Sequence, residues 1–91
     1  MKFSTRAEYG LRATVYLAKN YPYLRSINEI SDEEHISAKY LEQIFNSLRR
    51  AEIILSQKGK SGGYTLARDP KEIKVGEIVE TLEGKIEPSK C

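Results

Sequence analysis

Apolar residues recur along most of the chain at helical spacing, most clearly between Ser37 and Arg50. There Leu41, Ile44, Phe45 and Leu48 fall at i, i+3, i+4 and i+7, one face of an α-helix, and Ser37 ahead of them is an N-cap residue. The opposite face carries Lys39, Gln43, Asn46 and Arg50, flanked by Ser37 and Tyr40 near its start and bordered by Glu42 and Arg49. A surface helix usually mixes both signs of charge, whereas this face holds amides and cations. It fits a solvated surface. It also fits a recognition helix, because Gln, Asn, Arg and Lys are the side chains that read base edges.

Upstream, Thr5-Arg6-Ala7-Glu8 fits a capping box and predicts a helix from Thr5 to about Asn20. Ala7, Leu11, Thr14, Val15 and Ala18 make one stripe on it, and Tyr9, Ala13 and Tyr16 a second; Glu8, Arg12 and Lys19 are its polar sliver. A helix apolar on two sides is covered on two sides, either within one small core or by a partner subunit or C-terminal segment. Pro22 sets a turn at Asn20-Tyr21-Pro22-Tyr23. Ser26-Ile27-Asn28-Glu29 is another capping box and opens a short helix to about Glu34, with Ile27 and Ile30 inward. His35-Ile36 turns the chain into the Ser37 helix. Two helices across a tight turn, the second with a polar outer face, form a helix-turn-helix layout.

After Arg50 the pattern changes period. Ala51 to Ser56 is strand-like, Gln57-Lys58-Gly59-Lys60-Ser61-Gly62-Gly63 is basic and glycine-rich, and Tyr64 to Ala67 is strand-like again. This predicts a β-hairpin with a long tip whose glycines allow close backbone approach and whose Lys58 and Lys60 carry positive charge. Alone it is an ordinary loop; directly after a helix-turn-helix it reads as a wing against a DNA backbone or minor groove. Gly59-Lys60-Ser61 looks like the end of a phosphate-binding loop, but Ile54 stands where that motif needs glycine and a strand follows where it needs a helix. Asp69-Pro70 is a turn, Lys71 to Val75 is expected to be extended, and Gly76 to Glu83 a short helix with Ile78, Val79 and Leu82 inward and Gly84 as its stop.

Composition narrows the function less than placement does. The chain has 91 residues and a net charge of +2, so binding to an anionic polymer rests on where the charges sit. The N-terminus lacks an apolar signal core and no run is long enough to span a bilayer, which predicts a cytoplasmic protein without membrane association. The single cysteine, Cys91, excludes an internal disulfide and fits a reducing compartment. The single histidine, His35, lies in a turn without companions for a metal. No paired carboxylates, Cys–His or Ser–His arrangement suggests catalysis, and no enzyme is expected.

Three separated motifs then match one family over almost the whole chain. Lys2-Phe3-Ser4-Thr5-Arg6 with Tyr9 to Ala13, the block Ile36 to Phe45, and Gly62-Gly63-Tyr64-Thr65-Leu66-Ala67-Arg68 resemble the IscR/NsrR/CymR group of bacterial winged-helix transcription regulators. Several of these sense iron–sulfur status, nitric oxide or cysteine supply. The resemblance implies a mostly α protein with a small β-hairpin (α+β), a winged helix-turn-helix spanning residues 1–84, with 85–91 a tail leading into a sensor or dimerisation segment if the chain continues. It implies a homodimer on a partly palindromic double-stranded DNA operator, acting as a repressor. Ser37, Lys39, Tyr40, Glu42 and Gln43 become the recognition-helix residues, Lys58, Gly59, Lys60, Gly62 and Gly63 the wing, and Lys2 and Arg6 phosphate contacts. Gln43 can pair with adenine and Glu42 can accept from cytosine. Lys58 stands where arginine is common in the family, and offers a compact charge rather than a planar fork. Cluster-binding members carry three cysteines after the short helix; Cys91 sits near the first of these positions. One thiolate cannot hold a two-iron, two-sulfur cluster, so no cofactor is expected of the chain as it stands, and a cluster only of a longer one. The rival reading is a winged-helix module that binds protein, its Lys39/Gln43/Arg50 face covered by a partner chain.

Overall fold

A computed structural model describes residues 4–60 and 62–83. Lys2, Ser61, Gly84 and the tail through Cys91, all named above, lie outside the described residues. In chain order the elements are α1 (Thr5–Asn20), α2 (Ile27–Glu34), α3 (Ala38–Arg50), β1 (Ile54–Gln57), β2 (Gly63–Leu66), a 3-10 turn (Pro70–Glu72) and α4 (Val75–Glu83).

α3 follows its pattern closely. The Ser37 hydroxyl accepts from the Tyr40 backbone N–H at 3.1 Å, and Leu41, Ile44, Phe45 and Leu48 are buried. Burying four such side chains is worth about 6–12 kcal/mol, far more than any rotation of the helix could recover elsewhere. The polar face is therefore held outward. The helix ends in a Schellman motif: Ile53 N–H donates to the Leu48 carbonyl and Glu52 N–H to the Arg49 carbonyl, both at 2.9 Å, with Glu52 left-handed at φ 62°.

α1 departs from expectation in two ways. Its N-cap is Ser4 rather than Thr5: the Ser4 hydroxyl accepts from Ala7 N–H at 3.1 Å, and its own N–H donates to Glu83 Oε2 at 3.0 Å. Its buried stripe is Ala7, Gly10, Ala13, Thr14 and Leu17, while Leu11 and Ala18 are half-buried and Val15 is 49% exposed. The reason is close approach rather than hydrophobicity. A side chain at Gly10 would run into Leu82 of α4, so small residues line the crossing. Tyr9 and Tyr16, from the second stripe, pack against the core within the domain.

α2 carries the capping box read from Ser26 and Glu29. It ends at left-handed His35 (φ 57°), after which Ile36 N–H returns to the Ser31 carbonyl at 3.3 Å and the Ser31 hydroxyl donates to the Ile36 carbonyl at 2.6 Å. Ile36 is thereby buried, and the turn into α3 is fixed.

The hairpin is antiparallel, with Ile54 opposite Leu66 and Gln57 opposite Gly63. It is not free-standing. Arg25, just before α2, exchanges backbone hydrogen bonds with Tyr64 at 2.9 and 2.8 Å, adding a one-residue third strand, and the Tyr64 ring lies 4.7 Å from Phe45 of α3. Residues 70–72 form a 3-10 turn where extended chain was expected, because Asp69 accepts from Lys71 N–H at 2.9 Å and Pro70 supplies a helical φ. α4 buries Ile78 and Leu82 against α1 and α3, with Val79 packed beside them.

Candidate nucleic-acid interface

Along α3, Lys39, Glu42, Gln43, Asn46, Arg49 and Arg50 are all exposed. The amide-and-cation face is thus uncovered by the domain's own interior. Arg49 donates to Asn46 Oδ1 at 3.1 Å, which orders two of these groups on the helix surface. Glu42 is the exposed acid bordering this face, and neither Lys39 nor Arg50 takes part in an ion pair among the described residues.

Two members of the sequence-derived set are partly committed to structure. The Ser37 hydroxyl is the helix cap. Tyr40 is half-buried, and its ring meets Tyr9 edge-to-face at 5.6 Å and 78°. Arg6 reaches α3 directly, donating to Ser47 Oγ at 2.8 Å. Ser47 follows Gln43 by four residues and precedes Arg50 by three, so this bond brings the Arg6 guanidinium beside the polar face.

At the hairpin tip Lys58, Gly59 and Lys60 are exposed. The glycines differ in what they do. Gly59 has φ 113° and open space around it, and its carbonyl accepts from Gly62 N–H at 2.9 Å to close the tip. A side chain at Gly62 would strike the Gln57 carbonyl, and one at Gly63 would sit 2.6 Å from the Arg25 carbonyl oxygen. Gly62 and Gly63 are therefore required by the domain itself, whereas Gly59 and its flanking lysines form the projecting part.

Three arginines elsewhere are tied down. Arg12 pairs with Glu34, Arg25 with Glu29 and Arg68 with Glu77 at 3.3, 3.6 and 3.0 Å. Arg6, Lys39, Arg49, Arg50, Lys58 and Lys60 enter no ion pair among the described residues. Lys19, Lys71 and Lys74, on the rest of the surface, are also exposed and enter no ion pair among the described residues. The sequence reading missed Arg12 and Arg25 as anchors. Their only signal was position, Arg12 on the polar sliver of α1 and Arg25 directly before a capping box.

Among the described residues no group of three or more His, Cys, Asp or Glu side chains could hold a metal ion, and no helix is long and apolar enough to cross a membrane.

Comparison with known proteins agrees with this geometry. The sequence model of the Rrf2 family, described as "Iron-dependent Transcriptional regulator", matches residues 3–91. The HTH-type transcriptional regulator CymR of Bacillus subtilis is 39% identical over 89 residues, covering 97% of this chain and 64% of that protein. The HTH-type transcriptional regulator IscR of Cereibacter sphaeroides is 44% identical over 89 residues, covering 94% of this chain and 57% of that protein. The solved structure of B. subtilis CymR, named there the global cysteine regulator, superposes with a TM-score of 0.89 at 37% identity, over all of this chain and 71% of that one. The chain thus spans 64% and 57% of the lengths of the two curated relatives.

Proposed function

The chain belongs to the Rrf2 family of transcriptional regulators, and from that premise we propose that it is a winged helix-turn-helix domain that binds double-stranded DNA and regulates transcription, as a repressor. The observation that supports this most directly is the exposed α3 face, with Lys39, Gln43, Asn46 and Arg50 turned away from a fully buried apolar face. In this reading α3 enters the major groove. Lys39, Tyr40, Glu42 and Gln43 contact base edges, and the α3 N-terminus, Lys2, Arg6 and the wing lysines hold phosphates. The division of labour follows from chemistry: Gln and Glu distinguish donor and acceptor patterns, whereas Lys and Arg at the periphery supply charge without sequence information. The α3 face and the wing tip must then share one side of the domain.

The domain runs over residues 1–84, with 85–91 a C-terminal tail. The operator is partly palindromic and the protein a homodimer. An apolar groove lined by Leu11, Val15, Ala18, Ile73 and Val75 supports the dimer, since Val15 and Val75 are 49% and 58% exposed in a domain whose other large aliphatics are mostly covered. It carries out no catalysis and works in the cytoplasm, beside its DNA. An iron–sulfur cluster does not fit the residues present: the chain has one cysteine, and a two-iron, two-sulfur cluster takes four ligands.

The test is a gel-shift titration at low salt on random-sequence duplex, followed by selection of a preferred duplex from a random pool. Micromolar binding that weakens steeply with salt is expected. Absence of any shift at low salt, with α3 covered by a captured protein, would replace this reading with a protein-binding module.

A further inference from the structure

Arg12 of α1 bonds the end of α2 directly and is linked to the start of α3 through Tyr9. On the α2 side its guanidinium donates to the Glu34 backbone carbonyl and to Glu34 Oε1, the latter at 3.3 Å. That carbonyl belongs to the last residue of α2, a helix with no basic residue in its own last turn, so α1 supplies the positive charge that the α2 C-terminus lacks. Within α1 the Arg12 Cζ lies 5.3 Å from the centroid of the Tyr9 ring, three residues earlier on the same helix. Tyr9 in turn holds Tyr40, in the first turn of α3, edge-to-face at 5.6 Å. Between these two helix ends lie His35, in a left-handed conformation, and Ile36 and Ser37.

We propose that Arg12 is a positioning residue that sets the direction in which α3 leaves the turn, and so controls sequence discrimination without touching DNA. The geometry gives the reason. Within the turn, the Ser31–Ile36 hydrogen bonds tie Ile36 to α2, while α3 itself starts one residue later, at its Ser37 cap. Arg12 adds a restraint from outside the turn: its planar fork bonds the end of α2 and lies over Tyr9, the ring that meets Tyr40 of α3. Lysine cannot replace it, because a single ammonium offers neither the fork nor the stacking plane. The discrimination clause rests on the DNA-binding reading above; the positioning clause does not.

The experiment compares the full wild-type chain with Arg12→Gln and Arg12→Lys. Hydrogen exchange is followed at the amides of Ile36, Tyr40 and Leu41, which donate to Ser31 O, Ser37 Oγ and Ser37 O. Binding is measured to a duplex selected by the wild-type chain and to a scrambled duplex of the same composition, across salt concentrations. Both variants are expected to speed exchange at these three amides about tenfold, the effect of losing a charge-assisted hydrogen bond, with α4 and hairpin amides unchanged. Preference for the selected duplex falls by a similar factor while the salt slope stays at the wild-type value. Unchanged exchange overturns the proposal, as does equal acceleration throughout the chain. A salt slope reduced by one contact makes Arg12 a phosphate ligand and overturns it too. Full retention by Arg12→Lys overturns the requirement for a fork. If exchange responds as expected but the wild-type chain prefers no duplex, the DNA-binding reading fails and the positioning role stands.

Discussion

Gln43 and Glu52 illustrate two kinds of residue whose side chains sit in solvent for different reasons. Gln43 is exposed at the middle of the outer face of α3, with no packing role. Gln43→Ala is therefore expected to leave thermal stability nearly unchanged and to relax base preference at one operator position by about 1–3 kcal/mol, read by competition between single-base variants of the duplex. Glu52 is exposed because it closes α3, and it does so at φ 62°, where a side chain costs about 1–2 kcal/mol. Glycine at this position relieves that cost but loses part of it to the greater freedom of the unfolded chain. Glu52→Gly should raise stability by about 0.5–1 kcal/mol in denaturant unfolding. A loss of stability would mean that the Glu52 side chain contributes something beyond its backbone.

The wing is an element whose stem and tip obey different constraints. The stem is built into the domain through the Arg25–Tyr64 backbone pair and the Tyr64–Phe45 contact. A methyl group at position 63 would meet the Arg25 backbone, so Gly63→Ala should cost about 1–3 kcal/mol and speed amide exchange at Arg25 and Tyr64, the two amides of the bridge. The tip carries Lys58 and Lys60, both exposed, on a loop closed by Gly59 and Gly62. Lys58→Ala should leave folding intact, weaken binding to all duplexes alike and lower the magnitude of the salt slope by about 0.9. An unchanged slope would detach the tip from DNA. The two substitutions separate a structural glycine from a functional lysine only a few residues apart.

At the scale of the whole molecule, three ion pairs tie neighbouring segments together among the described residues. Arg12, Arg25 and Arg68 are spent on contacts between α1 and α2, within the α2 entry, and between the post-hairpin segment and α4. Each such partly exposed pair is worth at most about 1 kcal/mol. The second feature of the whole surface is the apolar groove beside Val15 and Val75. If two copies meet there, Val15→Asp should shift the chain from dimer to monomer in sedimentation without lowering its helix content, because Val15 is 49% exposed in the domain alone. A dimer that survives this change is assembled through another surface.

Periodicity alone was enough for α2, α3 and the hairpin, because each is specified by local chemistry: a serine cap, an apolar run at a single period, glycines at a tip. It also sufficed to point the Lys39–Arg50 face outward, since the cost of unburying Leu41, Ile44, Phe45 and Leu48 leaves no other choice. What packing decided lay where hydrophobicity is a poor guide to burial. The α1 stripe runs through Ala7, Gly10 and Ala13 because α4 crosses there, a contact 70 or so residues away that no local window contains. Ser4 displaced Thr5 as the cap in a structure where its backbone also meets Glu83. Arg12, read along the chain as part of a polar sliver, became the clamp on the turn only when the fold brought Glu34 to its guanidinium and Tyr40 to the neighbouring Tyr9 ring. Local propensity chose the elements; long-range contacts chose their faces, their ends and the angle between them.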